Sequence, residues 1–207
     1  MHKNLWAWCG VLAPVIMLLA WVLFALLTPN YSHLTNAISE LGMRGSPYAL
    51  AWNISGFMFV GILITAGAWG LHIALRGHAG AMLVPLLVAL SGIGWIGLGI
   101  FPAAAEFHPS PQTTLHFMMV ALNYLAFVLA TFVFSFHFRS HPDWQPWTNF
   151  LVGMGILAIA AFFIPPVVPT GVSQRIGLGA YFGWLFVVNY ALLRKPVISD
   201  QFSTNAL

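Results

Sequence analysis

Six long apolar runs dominate the chain, roughly Leu5 to Leu27, Leu50 to Leu75, Met82 to Phe101, Leu115 to Phe138, Phe150 to Pro165 and Ile176 to Leu193. Each is about long enough to cross ~30 Å of hydrocarbon as a helix, which takes ~20 residues. Lipid gives the backbone no hydrogen-bond partner, so such segments satisfy their peptide groups internally as helices. The fold expected is all-α: one domain over residues 1–207, a polytopic membrane protein of six transmembrane helices. The longest connection, 28–46, has a period of its own. Leu34, Ile38 and Leu41 recur at the spacing of one helical face, and His33, Asn36 and Glu40 recur on another. A short amphipathic helix is expected there, between the first and second crossings. Ser32 is its N-cap, Gly42 and Gly45 are its stops, and Ser46-Pro47 opens the second crossing.

Composition agrees with this pattern. Of the 207 residues 60% are hydrophobic and 5% charged, whereas about a quarter are charged in soluble domains. The formal net charge is +3; most of the excess sits on one membrane side, so topology and anionic lipid account for it and no nucleic-acid binding is inferred. Lys3, Arg76, Arg139, Arg194 and Lys195 share the side of the N-terminus, while only Arg44 and Arg175 lie opposite. By the positive-inside rule both termini are cytoplasmic. The first run is too long for a signal-peptide core and no small-x-small site follows it, so it is read as a retained helix. Cys9 is alone and inside that run, which excludes an intrachain disulfide and a thiolate cluster.

The third run carries Gly92, Gly94, Gly97 and Gly99, and the sixth carries Gly179 and Gly183 at GxxxG spacing. Small residues let helices approach closely in lipid, so tight packing is expected at both. Trp6, Trp8, Trp21, Tyr31, Tyr48, Trp52, Trp144 and Trp147 fall near the ends of the runs, as interfacial aromatics do.

The candidate chemistry lies in the extracytoplasmic loops 28–46, 102–114 and 166–175. Glu106, His108 and His116 put a carboxylate and two imidazoles within eleven residues at one membrane surface. They suit a catalytic divalent metal such as zinc, or an acid/base set, with His33 and Glu40 able to complete the group; solvated loop residues are the alternative. Arg44 and Arg175 offer guanidinium forks suited to phosphate or carboxylate. The stretch Gly171-Val172-Ser173-Gln174-Arg175 opens the sixth helix, whose N-terminal dipole also favours an anion. Alternatively the two arginines neutralise Glu40 and Glu106. Asn53 and Asn123 lie about two turns inside their helices, placed for interhelical hydrogen bonds or for lining a polar pocket. Ser39 and Ser173 sit in no nucleophile elbow. His72 and His137, at the cytoplasmic ends of two helices, are either ordinary interfacial histidines or a facing pair of the kind that holds a b-type haem, with His108 and His116 as a second, less well-placed pair.

The string Tyr31-Ser32-His33-Leu34-Thr35-Asn36-Ala37-Ile38-Ser39-Glu40-Leu41-Gly42, followed by Arg44-Gly45-Ser46-Pro47, resembles the hallmark of bacterial membrane proteins grouped as domain of unknown function 998. Phe101-Pro102 with the later His116, and Gly171 through Arg175, are similar to that family's other blocks. The resemblance covers most of the chain. It implies a six-helix protein of the bacterial inner membrane and supplies no activity.

Loops and family blocks point to one extracytoplasmic pocket built by loop one, the turn between helices three and four and the start of helix six. Its expected binding residues are Ser32, His33, Asn36, Ser39, Glu40, Arg44, Asn53, Asn123, Gln174 and Arg175, with Glu106, His108 and His116 as catalytic or metal residues. The expected partner is a membrane lipid, held as an anionic amphiphile or by its headgroup, with metal-assisted hydrolysis as the chemistry if the protein is an enzyme. Other readings are a non-catalytic binding or transport module and a b-type haem electron-transfer protein.

Overall fold

The computed structural model describes residues 2–78, 81–163 and 167–194. Pro165, the expected end of the fifth run, and Lys195 lie outside them. All regular structure among the described residues is helical. Six helices are long and apolar enough to cross a membrane: α1 (His2–Leu27), α2 (Ala49–Ala74), α3 (Leu83–Ile100), α4 (Pro111–Phe138), α5 (Gln145–Phe163) and α6 (Thr170–Arg194). The last three begin about a turn before their apolar runs, because polar first turns are themselves helical. In α4 the Ser110 hydroxyl accepts from the Thr113 amide at 3.1 Å and Pro111 occupies the first helical position, where its missing N–H costs nothing. The expected cap at Ser46-Pro47 is not formed: α2 starts at Ala49 and the Ser46 hydroxyl is buried with no partner among the described residues.

Consecutive helices pack side by side, and α6 closes the ring against α1. α2 and α3 are the most enclosed, 56% buried over their apolar windows, and α5 is the most peripheral at 22%. Trp52, Trp95, Trp184, Phe57 and Phe134 fill the middle, fully buried, while Leu19, Leu50 and Phe136 point outward. An exposed apolar belt of this kind faces lipid.

Glycines set the closest approaches. A Cβ on Gly61 of α2 would lie 2.6 Å from the Gly92 carbonyl oxygen of α3, so only glycine fits this contact. Gly10 of α1 and Gly67 of α2 meet beside the buried Asn189 of α6, which places both termini at one end of the bundle. The GxxxG pair of α6 behaves differently from expectation. Among the described residues nothing lies within 4 Å of a Cβ on Gly179, and only the Met154 sulfur, at 3.6 Å, approaches one on Gly183. These two glycines border an open groove against α1, not a packing seam.

The segment 28–48 caps the other end, termed here the loop end. It does contain a short helix, but a 3₁₀ turn over Ile38–Gly42 and not an α-helix from Ser32. Side chains compete with the helical backbone before it: Asn36 Oδ1 accepts from the Ser32 amide at 2.9 Å, and Glu40 accepts from the Ala37 amide at 2.6 Å and from Asn36 Nδ2 at 2.5 Å. At three residues per turn Ile38 and Leu41 line up. Both are buried, whereas Leu34 is 63% exposed and leaves the apolar face it was expected to share.

In α2 the residues Asn53–Phe59 form a π-helical stretch between α-helical turns. Asn53 is buried there, and its Nδ2 donates to the Gly42 carbonyl at 2.9 Å, tying the 3₁₀ turn to α2.

Candidate functional site

The loop end brings some of the sequence-derived candidates together and spends others on structure. Arg175 is one turn inside α6 and faces the 28–48 segment. Its Nη1 donates to the carbonyls of Asn36 at 2.7 Å and Gly171 at 2.8 Å, its Nη2 donates to the Tyr31 hydroxyl at 2.7 Å, and the guanidinium lies 4.9 Å from the Trp21 ring centre. The fork that was expected to receive an anion is taken up by protein oxygens. Burial pushes the Tyr31 phenol above its ordinary value, against the opposing pull of Arg175. The N-terminus of α6 is likewise filled, since the Val172 amide donates to the Leu34 carbonyl at 3.2 Å. Arg44 is exposed, and among the described residues only its backbone is engaged, to Ala103. Among the described residues no ion pair joins either arginine to Glu40 or Glu106, so the neutralisation alternative is not formed either.

Glu106, His108 and His116 do not make a metal trio. Glu106 and His108 are exposed, while His116 is 1% exposed and donates through Nδ1 to the Phe101 carbonyl at 2.9 Å. Among the described residues no three His, Cys, Asp or Glu side chains converge on a metal position. Glu106 and Phe107 have φ of 52° and 54°. Two successive non-glycine residues in the left-handed region cost about 1 kcal/mol or more each. The sharp turn they produce sets the Phe107 ring 5.8 Å from that of Phe117, at the edge of the cavity described next. His33 is exposed and packs edge-on against Trp21 and Tyr31. Ser32 accepts from the Leu34 amide. The haem candidates His72 and His137 are bound to the carbonyls of Ala81 and Val133, with no ring contact between them.

A cavity of about 490 Å³ opens between α3, α4, α5 and α6 under the loop end. At its mouth lie Ser39, Thr170, Ser173 and Gln174, where Gln174 Oε1 also accepts from the Ile38 amide at 2.6 Å. The α4 wall carries His116, Val120, Asn123, Tyr124 and Phe127, the spacing of a single helical face. Phe57, Trp95 and Tyr181 join them at the floor. Phe117 and Phe162 line the cavity and are also 50% and 58% exposed, so it opens sideways between α4 and α5 toward lipid. Of the candidates, Ser39, His116, Asn123 and Gln174 line it; Ser32, His33, Asn36, Glu40, Arg44, Asn53, Glu106, His108 and Arg175 do not. Tyr124, Trp95, Phe127 and Tyr181 escaped a search led by charge. Their signal was the face that His116 and Asn123 already defined.

Below the mouth the polar groups form one chain. Tyr181 and Ser91 hydroxyls lie 2.7 Å apart, and Ser91 donates to Asn123 Oδ1 at 2.7 Å. Tyr124 donates to the Ala158 carbonyl at 2.8 Å, across the α4–α5 opening.

The family model described as "Protein of unknown function (DUF998)" matches residues 11–191, nearly the whole helical bundle, and the chain belongs to that family. No curated protein and no solved structure matches it.

Proposed function

We propose that this member of the family is a lipid-binding membrane protein which admits one amphiphile sideways from the bilayer and holds its apolar part in the α3–α6 cavity. The cavity itself carries the reading. Its volume, about 490 Å³, falls within the ~300–1,000 Å³ of small-molecule sites. Its body is aromatic and aliphatic, its polar groups are gathered at mouth and floor, and its side opening lies where acyl chains are. Among the described residues no Asp, Glu, Lys or Arg lines it, so the polar part of the ligand is held by neutral hydrogen bonds from Ser39, Thr170 and Gln174. The two arginines of the loop end, Arg44 and Arg175, are not its anchor.

Two glycines on α6 separate this reading from general lipid adhesion. A Cβ on Gly177 meets only the Ala161 methyl, at 3.4 Å, and projects into the cavity; one on Gly179 meets nothing and projects into the groove against α1. Overfilling the first site costs a bound ligand ~1–3 kcal/mol, about tenfold in affinity. Lipid retained per protein after mild detergent extraction, read by mass spectrometry, should fall about tenfold in Gly177→Phe and stay at the wild-type level in Gly179→Phe. Equal retention in the two variants overturns the proposal.

We propose that the mouth opens on the extracytoplasmic face of a bacterial inner membrane, with the termini cytoplasmic, an orientation that the cation asymmetry supports. Thr35→Cys and Ser140→Cys, both at exposed positions on opposite ends, test this on a Cys9→Ala background. An impermeant maleimide should label Thr35→Cys in intact cells and leave Ser140→Cys unlabelled. The reverse pattern turns the protein over.

A further inference from the structure

The floor of the cavity selects the kind of atom that can enter it. The Tyr181 hydroxyl is buried 2.7 Å from Ser91 Oγ; the Trp95 indole N–H beside it can only donate, so the Tyr181 proton points to Ser91. Ser91 then has one proton left, and gives it to Asn123 Oδ1. This order of donors fixes the carboxamide: Oδ1 accepts and Nδ2 faces away. Nδ2 has no partner among the described residues and, unlike the sealed Asn53 and Asn189 oxygens, is not enclosed by protein. Asn123 lines the cavity, so two N–H donors face its interior, seven residues or ~10 Å along α4 from His116.

An apolar chain alone leaves those donors unanswered. Around them stand Phe57, Trp95, Phe127 and Tyr181, the last two with ring centres 4.5 Å apart. A floor of aromatic rings with one oriented pair of donors suits a flat ring that carries an acceptor oxygen. Resting on the cavity reading above, we infer that the ligand is a neutral carbonyl-bearing lipid of the quinone class, its ring at the floor with a carbonyl accepting from Asn123 Nδ2 and its tail leaving between α4 and α5.

The test uses purified full-length protein in detergent and three probes: a benzoquinone with a ten-carbon tail, decylbenzene, which keeps ring and tail without carbonyls, and methyl decanoate. Affinities are read from ligand-dependent thermal shifts. One net hydrogen bond corresponds to about a fivefold preference. The quinone should bind about fivefold tighter than decylbenzene to wild type, and equally to Asn123→Leu. Equal binding of the two probes to wild type overturns the role of Asn123 while the cavity reading stands. Tighter binding of methyl decanoate than of the quinone keeps the carbonyl and overturns the ring. Undiminished binding of every probe to Gly177→Phe overturns the cavity reading itself. The wild-type comparison needs no variant, so a folding defect in Asn123→Leu does not blunt the test.

Discussion

Gly61→Val should lower the melting temperature of the detergent-solubilised protein by roughly 10 °C, while Gly153→Val should leave it within about 2 °C of wild type. A Cβ on Gly61 meets the Gly92 carbonyl oxygen at 2.6 Å and the Ile96 nitrogen at 2.7 Å, and both obstacles are backbone of the neighbouring helix. No rotamer change moves them; α2 and α3, the two most enclosed helices, must separate. Overpacking of this kind costs ~1–3 kcal/mol, and rigid neighbours on both sides place it near the upper end. At Gly153 of α5 a Cβ meets nothing within 4 Å. The pair therefore compares the same substitution in a closed and an open site. A Gly61→Val protein that melts with Gly153→Val would show that α2 and α3 are not in contact where they cross.

Arg175→Ala should release the 28–48 segment and lower stability by about 3 kcal/mol, with Arg175→Lys restoring less than half of the loss. The wild-type guanidinium makes three hydrogen bonds between 2.7 and 2.8 Å to two carbonyls and a phenol. Bonds to a charged group contribute ~1.5–3 kcal/mol each when measured singly, and three on one partly exposed side chain fall short of their sum. Lysine restores the charge but not the fork that reaches Asn36, Gly171 and Tyr31 together. Proteolysis after the exposed Thr35 region, followed by thermal unfolding, reads both effects. If Arg175→Ala sheds anionic lipid yet leaves loop protection and stability unchanged, the arginine is an anion receptor and its protein contacts are incidental.

The two variants also show how far the residues alone carried the picture. Six helices and their order followed from apolar runs, because hydrocarbon admits no other backbone arrangement in those segments. The glycines of α3 were legible for the same reason: a missing side chain in lipid signals a close neighbour. The direction of Arg175 was not. Its charge argued for an outward anion, but once Thr170 begins the helix, Gly171 stands one turn before Arg175 and offers it a carbonyl, and Leu34 arrives from a distant segment of the chain to accept from the Val172 amide at the helix N-terminus. Such long-range closure leaves no local period. The α6 GxxxG misled because spacing shows which residues share a face, not what lies opposite. His116 and Asn123 lie seven residues apart and so share a face of α4; the aromatic residues beside them carry no charge and so drew no attention. Glu106 and His108 were selected for their chemistry and their membrane side, and the left-handed turn that holds Glu106 in solvent has no marker in residue type.

The wide turn in α2 is a phase shift. An α-helix advances ~100° per residue, so one residue accommodated as π-helix turns everything before it by that angle relative to everything after it. In the present phase Trp52 is fully buried and Asn53 faces Gly42, while Gly61 and Gly67 meet their neighbours on the other side of the shift. Removing one residue between Asn53 and Phe59 would yield a plainer helix in better agreement with ideal geometry, and would rotate Trp52 and Asn53 off their partners while the glycine contacts stayed in place. Length in this stretch is thus a coordinate of the fold in its own right: substitutions there change what a face presents, but an insertion or deletion changes which face is presented.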